Sequence, residues 1–207
     1  MDDEYKQLAK KMRTKILRRV LSFFLALFLL LETSSAFESR GFISVGLFSF
    51  NDSNFRQIYG SFPVIYFSVD VFPWENFALS AGVNYLFRKG EAAVISGDPE
   101  QFPVSFARLT IPLLVKFRLL KNRFQASVGL GLAYSSYREN WSDIELSYQG
   151  QSVHFRYELS AGYNLSKRIF FQVTLAGESI PTGVSSPLLN GARANLAGMS
   201  ILVGFGL

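Results

Sequence analysis

The sequence predicts an all-β protein: an eight-stranded antiparallel transmembrane up-and-down β-barrel over residues 37–207, preceded by a signal peptide at 1–36. Three observations carry this expectation. Period-2 alternation of large apolar with small or polar residues recurs eight times after residue 37. The connectors alternate long and short without exception. Every charge within a strand falls on the small/polar face.

The leader comes first. Arg18-Arg19 precede a mostly apolar run from Val20 to Leu31. A bilayer-spanning helix needs about 20 residues and a signal h-region about 7–15. Ser34 and Ala36 then offer a cleavage site of the A-x-A type, before Phe37. Asp2-Asp3-Glu4 is unusual for a signal n-region, and Met12 supplies a more conventional start. An uncleaved anchor is the alternative, and either reading sends the remainder out of the cytoplasm.

Strands are expected at 41–50, 61–71, 77–88, 104–118, 124–135, 152–164, 169–179 and 195–207. The clearest alternations are Phe77-Leu79-Ala81-Val83-Tyr85-Phe87, Phe124-Ala126-Val128-Leu130-Leu132-Tyr134 and Val153-Phe155-Tyr157-Leu159-Ala161-Tyr163. Their other faces hold residues such as Ser80, Gly82, Asn84, Gly129, Gly131 and Ser160. The first two strands are less regular, because Phe48, Phe50, Phe62 and Tyr66 interrupt the polar face. The short connectors (72–76, 119–123, 165–168) contain Pro73, Glu75-Asn76, Lys121-Asn122 and Ser166-Lys167, which is turn chemistry. The long ones (51–60, 89–103, 136–151, 180–194) lie at the opposite end. Short inner turns with long external loops characterise outer-membrane barrels.

Composition supports a lipid-facing exterior. Of 207 residues, 15% are aromatic and only 18% are charged, against roughly 25% charged in an ordinary soluble domain. A water-facing strand surface would be rich in Lys, Glu and Thr, whereas the polar face here is mostly Gly, Ser, Ala and Asn. That argues against a soluble barrel of lipocalin type. Aromatics gather in two bands, Phe72, Trp74, Phe77, Phe124, Phe171 and Phe205 near the short turns, and Tyr85, Phe87, Tyr134, Phe155 and Tyr157 near the long loops. Two such bands are the expected interfacial girdles. Residues 1–36 hold seven of the 21 Lys/Arg and four of the 16 Asp/Glu, so the net charge of +5 falls to +2 beyond them. Without a basic patch in the folded part, nucleic acid is not an expected partner. The absence of cysteine excludes a disulfide scaffold and a Cys-based zinc site.

The candidate site is the inward-facing ionic cluster Asp70, Arg88, Arg108, Lys116, Arg118, His154, Arg156, Glu158 and Glu178. Eight strands enclose an interior that side chains fill, so these charges must pair. The turn at 165–168 would place Arg156 level with about residue 177 and diagonal to Glu178. Arg88 and Arg108 would draw on Glu158 and Glu178, and Asp70 on Lys116 or Arg118. Such a cluster acts as an ionic plug that holds register or as a gate or polar ligand site. In the loops, Asp98, Glu100, Asp143 and Glu145 would be solvated or would touch Ca²⁺ or lipopolysaccharide. Tyr134, Tyr137, Trp141 and Tyr148 would form a binding surface or pack the third long loop.

Leu109-Thr110-Ile111-Pro112-Leu113-Leu114-Val115-Lys116-Phe117, followed by Ala126-Ser127-Val128-Gly129-Leu130-Gly131, resembles the corresponding strands of bacterial outer-membrane β-barrel domain proteins of the PorT/opacity-protein type. The resemblance implies an OmpA/OmpX-like barrel in the outer membrane of a Gram-negative-type bacterium. It implies little about activity. Pro112 inside a central strand suggests a local bulge. The chain ends at Leu207 rather than the terminal Phe common in barrel-assembly signals, with Phe205 two residues earlier.

The expected role is therefore non-enzymatic: structural, adhesive or surface-interacting, through the long loops. The alternative is a narrow channel or binder for small solutes. A lipid-modifying enzyme is a third reading, resting on His154 with Ser152 nearby. It is disfavoured because the histidine faces inward, because Glu158 lies four residues along the strand, about 13 Å away, and because Arg156 replaces the serine of the His-x-Ser order. No cofactor is expected. The expected partners are outer-membrane lipid and lipopolysaccharide, the barrel-assembly machinery, and an unidentified extracellular ligand.

Overall fold

The computed structural model describes residues 38–94, 100–142, 146–166, 169–180 and 195–206. The leader (1–36), Asp98, Asp143, Glu145 and Lys167 lie outside the described residues. Eight strands, β1 (Glu38–Phe50), β2 (Phe62–Trp74), β3 (Phe77–Val94), β4 (Glu100–Lys121), β5 (Phe124–Trp141), β6 (Leu146–Asn164), β7 (Phe170–Ser179) and β8 (Gly198–Gly206), pair in sequence order. All pairings described are antiparallel, and β1 closes the barrel against β8 from Phe42↔Gly206 to Phe50↔Gly198.

Alternation decides which side chains enter the barrel. In β8 every second residue is buried, from Gly198 to Gly206, while Met199, Ile201, Val203 and Phe205 are exposed. The same division runs round the wall, with Ile43, Leu47, Phe67, Leu79, Val115, Leu130, Leu159 and Leu175 among the large apolar residues facing out. The predicted outer bands hold for Trp74, Phe77, Phe124, Phe205, Tyr85, Phe87, Phe155 and Tyr157, all exposed. Phe72 differs: it is buried, because it shares the phase of Asp70 and points inward before β2 changes register between Val71 and Trp74.

Pro112 produces no bulge. The register is the same on either side of it, Ala81↔Leu113 and Asn84↔Thr110. The β3–β4 ladder simply lacks pairs between those two, whereas Pro112↔Ala133 keeps the β4–β5 ladder continuous. A proline removes one donor, so the gap opens on one side only.

Two expected loops are largely strand. β3 continues to Val94 and β4 begins at Glu100; β5 reaches Trp141 and β6 begins at Leu146. These four strands have 18, 22, 18 and 19 residues, against 10 in β7 and nine in β8. Pairing with β2 is described only as far as Val64↔Leu86, and pairing with β7 only as far as Phe155↔Ser179. Beyond those points β3–β6 continue as a four-stranded wall. Trp141 and Tyr137 are buried, with Tyr148 packed against the interior cluster, so loop packing is the reading the structure supports for these aromatics.

The first long connector holds a helix, α1 (Ser53–Tyr59), that alternation did not predict. Asp52 caps it, accepting hydrogen bonds from the backbone N–H of Asn54 and Phe55 at 2.9 and 3.3 Å. Gly60, with φ of 64°, ends it. Phe55 and Tyr59, one turn apart, are its buried residues.

Candidate functional site: the barrel interior

The interior is built in three zones. At the short-turn end Arg118 lies over the Phe72 ring, 3.7 Å from its centroid, and donates to the Glu75 carbonyl at 2.8 Å. Arg40 sits near both Phe72 and Phe170, at 5.7 and 5.8 Å, and donates to Gln125 Oε1 at 3.1 Å. These contacts hold two guanidiniums by cation–π attraction and by polar acceptors. Of the two expected partners of Asp70, Lys116 is the one that pairs with it, at 3.1 Å.

The middle zone is a continuous chain of charges. Arg108 Nη2 lies 2.7 Å from Glu178 Oε2. Glu178 also pairs with Arg156. Arg156 pairs with Glu158 at 2.8 Å, Glu158 with Lys116 at 3.3 Å, and Lys116 with Asp70 at 3.1 Å. Three cations alternate with three carboxylates, contributed by β2, β4, β6 and β7, and all six residues are buried. The charges cancel when His154 is neutral. Alternation, rather than isolated pairs, offsets much of the desolvation each ion suffers. Arg156 and Glu178 are direct cross-strand partners, one position from the expected diagonal. His154, buried, places Nε2 3.9 Å from Glu178 Oε2.

Arg88 is not part of this chain. It is exposed at the wall and donates to the Ser61 carbonyl. Its strand phase matches that of buried Leu86, and its β4 partner Phe106 is buried, but Arg88 stands just past the last described β2–β3 pair and its side chain reaches along that side of β3 to Gly60 and Ser61. Parity gives its phase and misses where the long side chain reaches.

The upper zone is aromatic. Phe50 packs edge-on to Phe48, Phe55, Phe62 and Phe106 with ring centroids 4.8–5.5 Å apart. The residues that interrupted the polar pattern thus form a plug. Arg108 joins the two zones: its guanidinium lies 4.4 Å from the Phe48 ring centroid and Nη1 donates to the Leu196 carbonyl at 3.2 Å. Above, the Tyr59 hydroxyl donates to Glu139 Oε1 at 2.6 Å. Burial, reinforced by that carboxylate, holds the Tyr59 hydroxyl well above its ordinary pKa. Neither Tyr59 nor Glu139 was a candidate from sequence. The available signal was the Asp52 cap with apolar residues four apart and Gly60 closing the segment.

Close packing leaves little room at several small residues. A Cβ on Gly82 would meet the Tyr66 ring at 2.6 Å, and one on Gly198 would meet Phe48 at 2.3 Å. The chemistry of this interior is therefore filling and ion pairing. His154 and Glu178 approach one another, but Ser152 faces Ser135 across the β5–β6 ladder and no hydroxyl is recorded hydrogen-bonded to the imidazole among the described residues.

No protein-family model matches the chain, and no curated protein matches it. Solved structures do. The outer membrane protein OprG from Pseudomonas aeruginosa is 14% identical, with a TM-score of 0.59 over 82% of this chain and 93% of that one. Neisserial surface protein A, NspA, is 11% identical, with a TM-score of 0.56 over 84% and 97%. Ail, the attachment invasion locus protein of Yersinia pestis, solved with the heparin analogue sucrose octasulfate, is 10% identical, with a TM-score of 0.51 over 82% and 99%. At these identities the likeness is one of fold. The chain has the fold of an OmpA/OmpX-like eight-stranded outer-membrane barrel.

Proposed function

We propose that the chain is an integral outer-membrane protein with a plugged lumen and no catalytic role, which adheres to or interacts with external partners through the wall formed by β3–β6. One observation carries the reading. The exterior is apolar from strand to strand while the interior is occupied by the neutral ion chain and the Phe48–Phe50–Phe62–Phe106 plug. An apolar exterior of this kind needs lipid, and a filled lumen leaves surface recognition as the available work. Export by the leader and delivery by the barrel-assembly machinery belong to the same proposal, as does lipopolysaccharide around the outer rim. Ail, an attachment invasion locus protein, lends support to an adhesive role on the same fold.

A narrow conduit is the second reading, and one observation favours it. The polar atoms of Tyr66, Ser80 and Asn84 are buried without a protein hydrogen-bond partner among the described residues. Buried polar groups of this kind normally take water. Planar-bilayer recordings separate the readings: a plugged barrel gives no stable openings, and steady small openings favour the conduit. For the adhesive role, cells displaying the protein are compared with cells displaying a form whose wall is shortened to the length of β7 and β8. Equal attachment of both to host-type glycan or protein surfaces overturns it.

A further inference from the structure

We propose that the outer wall at the short-turn end binds an anionic phospholipid, one acyl chain lying across Ala126 and Ala161 and the phosphate held by Lys121 and Arg123. The proposal rests on the outer-membrane reading above and adds a ligand class and a place.

The site is legible in the strand register. The outward row nearest the turns runs Lys121↔Phe124↔Tyr163↔Phe171↔Phe205. The next outward row runs Leu119↔Ala126↔Ala161↔Val173. Above it stand Phe117↔Val128↔Leu159↔Leu175. Two alanines are thus surrounded by larger side chains on every side. The result is a depression of about 450 Å³ with an almost wholly apolar lining that includes Leu119, Lys121, Phe124, Tyr163 and Phe171. Its size lies within the range of small-molecule sites, about 300–1,000 Å³. Phe124 and Tyr163 meet edge-on, centroids 4.9 Å apart, and form its lower lip.

Charge selects the occupant. Lys121 and Phe124 are paired across a two-residue turn, Asn122-Arg123, in which Asn122 takes φ of 58°. Asparagine tolerates that left-handed conformation, so the hairpin is tight and brings both basic residues to the aromatic row. Lys121 and Arg123 are exposed. The neighbouring β2–β3 turn carries one exposed acid, Glu75, against these two cations. Two cations beside an aromatic lip, with an apolar trough directly on the membrane side, match a phosphate joined to an acyl chain. A zwitterionic lipid fills the trough equally well but gains less from the cations. Each basic side chain at an anionic interface is worth roughly a fivefold preference.

The test uses native mass spectrometry of the full chain in detergent, titrated with dioleoylphosphatidylglycerol and with dioleoylphosphatidylcholine. Folding is verified first by heat-modifiable migration on a gel. A failure there removes the outer-membrane reading itself, whereas a folded barrel without lipid preference removes only this site. The expected result is tighter phosphatidylglycerol binding by fivefold or more. Lys121→Gln with Arg123→Gln abolishes that preference and leaves chain binding. Ala126→Phe, filling the trough, reduces binding of both lipids. Lys89→Gln with Arg138→Gln, at the opposite end, changes neither. Equal affinity for the two lipids overturns the proposal, as does a preference that survives the Lys121/Arg123 double variant. A dimer that Ala126→Phe dissociates also overturns it, since the trough is then an interface between copies.

Discussion

Glu178→Gln attacks the ion chain at its most connected member. The carboxylate pairs with both Arg108 and Arg156 and lies 3.9 Å from His154. The amide keeps the shape and removes the charge, leaving two buried guanidiniums and Lys116 against Glu158 and Asp70. Breaking one partner out of a buried pair costs about 3–5 kcal/mol. With a urea dependence of about 2 kcal/mol per molar, the unfolding midpoint falls by roughly 1.5–2.5 M. The assay is equilibrium unfolding in micelles, followed by the folded band on an unheated gel and by the fluorescence of Trp74 and Trp141. Removing Arg108 as well, as Arg108→Met with Glu178→Gln, should cost less than the sum of the single losses, because that cation no longer lacks a partner. Conductance is recorded on the same samples. A midpoint unchanged within about 0.3 M, with no change in conductance, refutes both the plug and the gate interpretation of the chain.

The remaining expectations concern depth, facing, packing and the cap. Arg108→Ala should destabilise by about 3–5 kcal/mol in the same unfolding assay because Glu178 loses one of its two guanidinium partners and the buried chain keeps an uncompensated negative charge, whereas exposed Arg88→Ala should change stability by under about 0.5 kcal/mol. Leu130→Arg, on the outer face, should cost about 2–4 kcal/mol in vesicles; an unchanged midpoint would show that this face does not meet lipid. Gly198→Ala should cost about 1–3 kcal/mol, since its Cβ would fall 2.3 Å from Phe48 and 2.4 Å from the Ser49 carbonyl oxygen. Tyr59→Phe leaves the buried Glu139 carboxylate without the 2.6 Å donor and should cost about 1–3 kcal/mol, read as faster proteolysis at 51–61.

What alternation could and could not convey follows from its physics. A period of two reports a face, so Asp70, Arg108, Lys116, Arg118, His154, Arg156, Glu158 and Glu178 were all placed inward, where the structure has them. Parity does not say where a long side chain reaches, and Arg88 shares the inward phase of buried Phe106 and Ala92 while its guanidinium turns to the Ser61 carbonyl. Nor does the apolar/small contrast mark a strand whose exposed positions turn polar, as at Lys89, Glu91 and Arg138. Lys89–Val94 and Arg138–Trp141 lack that contrast and so read as loop, although backbone pairing continues through them. Phe48, Phe50, Phe62 and Tyr66 looked like defects because the polar face was assumed to be uniform along its length; in the structure they are the aromatic end of that same face. The α1 segment has only seven residues, too few for a helical period to emerge from two apolar positions.

The plug and the wall are mechanically joined, which bears on why a closed barrel should carry a tall sheet. A four-stranded extension with no partners along its outer strands would twist and fray if it rested on backbone pairing alone. Here α1 braces it. Tyr59 reaches from the plug to Glu139 on β5, Arg88 on β3 reaches back to the Ser61 carbonyl just beyond the helix, and Gly90 lets β3 approach the Ile58 carbonyl, which a Cβ would meet at 2.5 Å. The helix is in turn fixed by Phe55 against Phe50 and Phe106, the latter on β4. Aromatic filling of the upper lumen thus does two things at once: it occupies that end of the interior and it gives the extended strands a rigid footing. A barrel built chiefly to conduct would need that space open, whereas one built to present a surface gains from filling it.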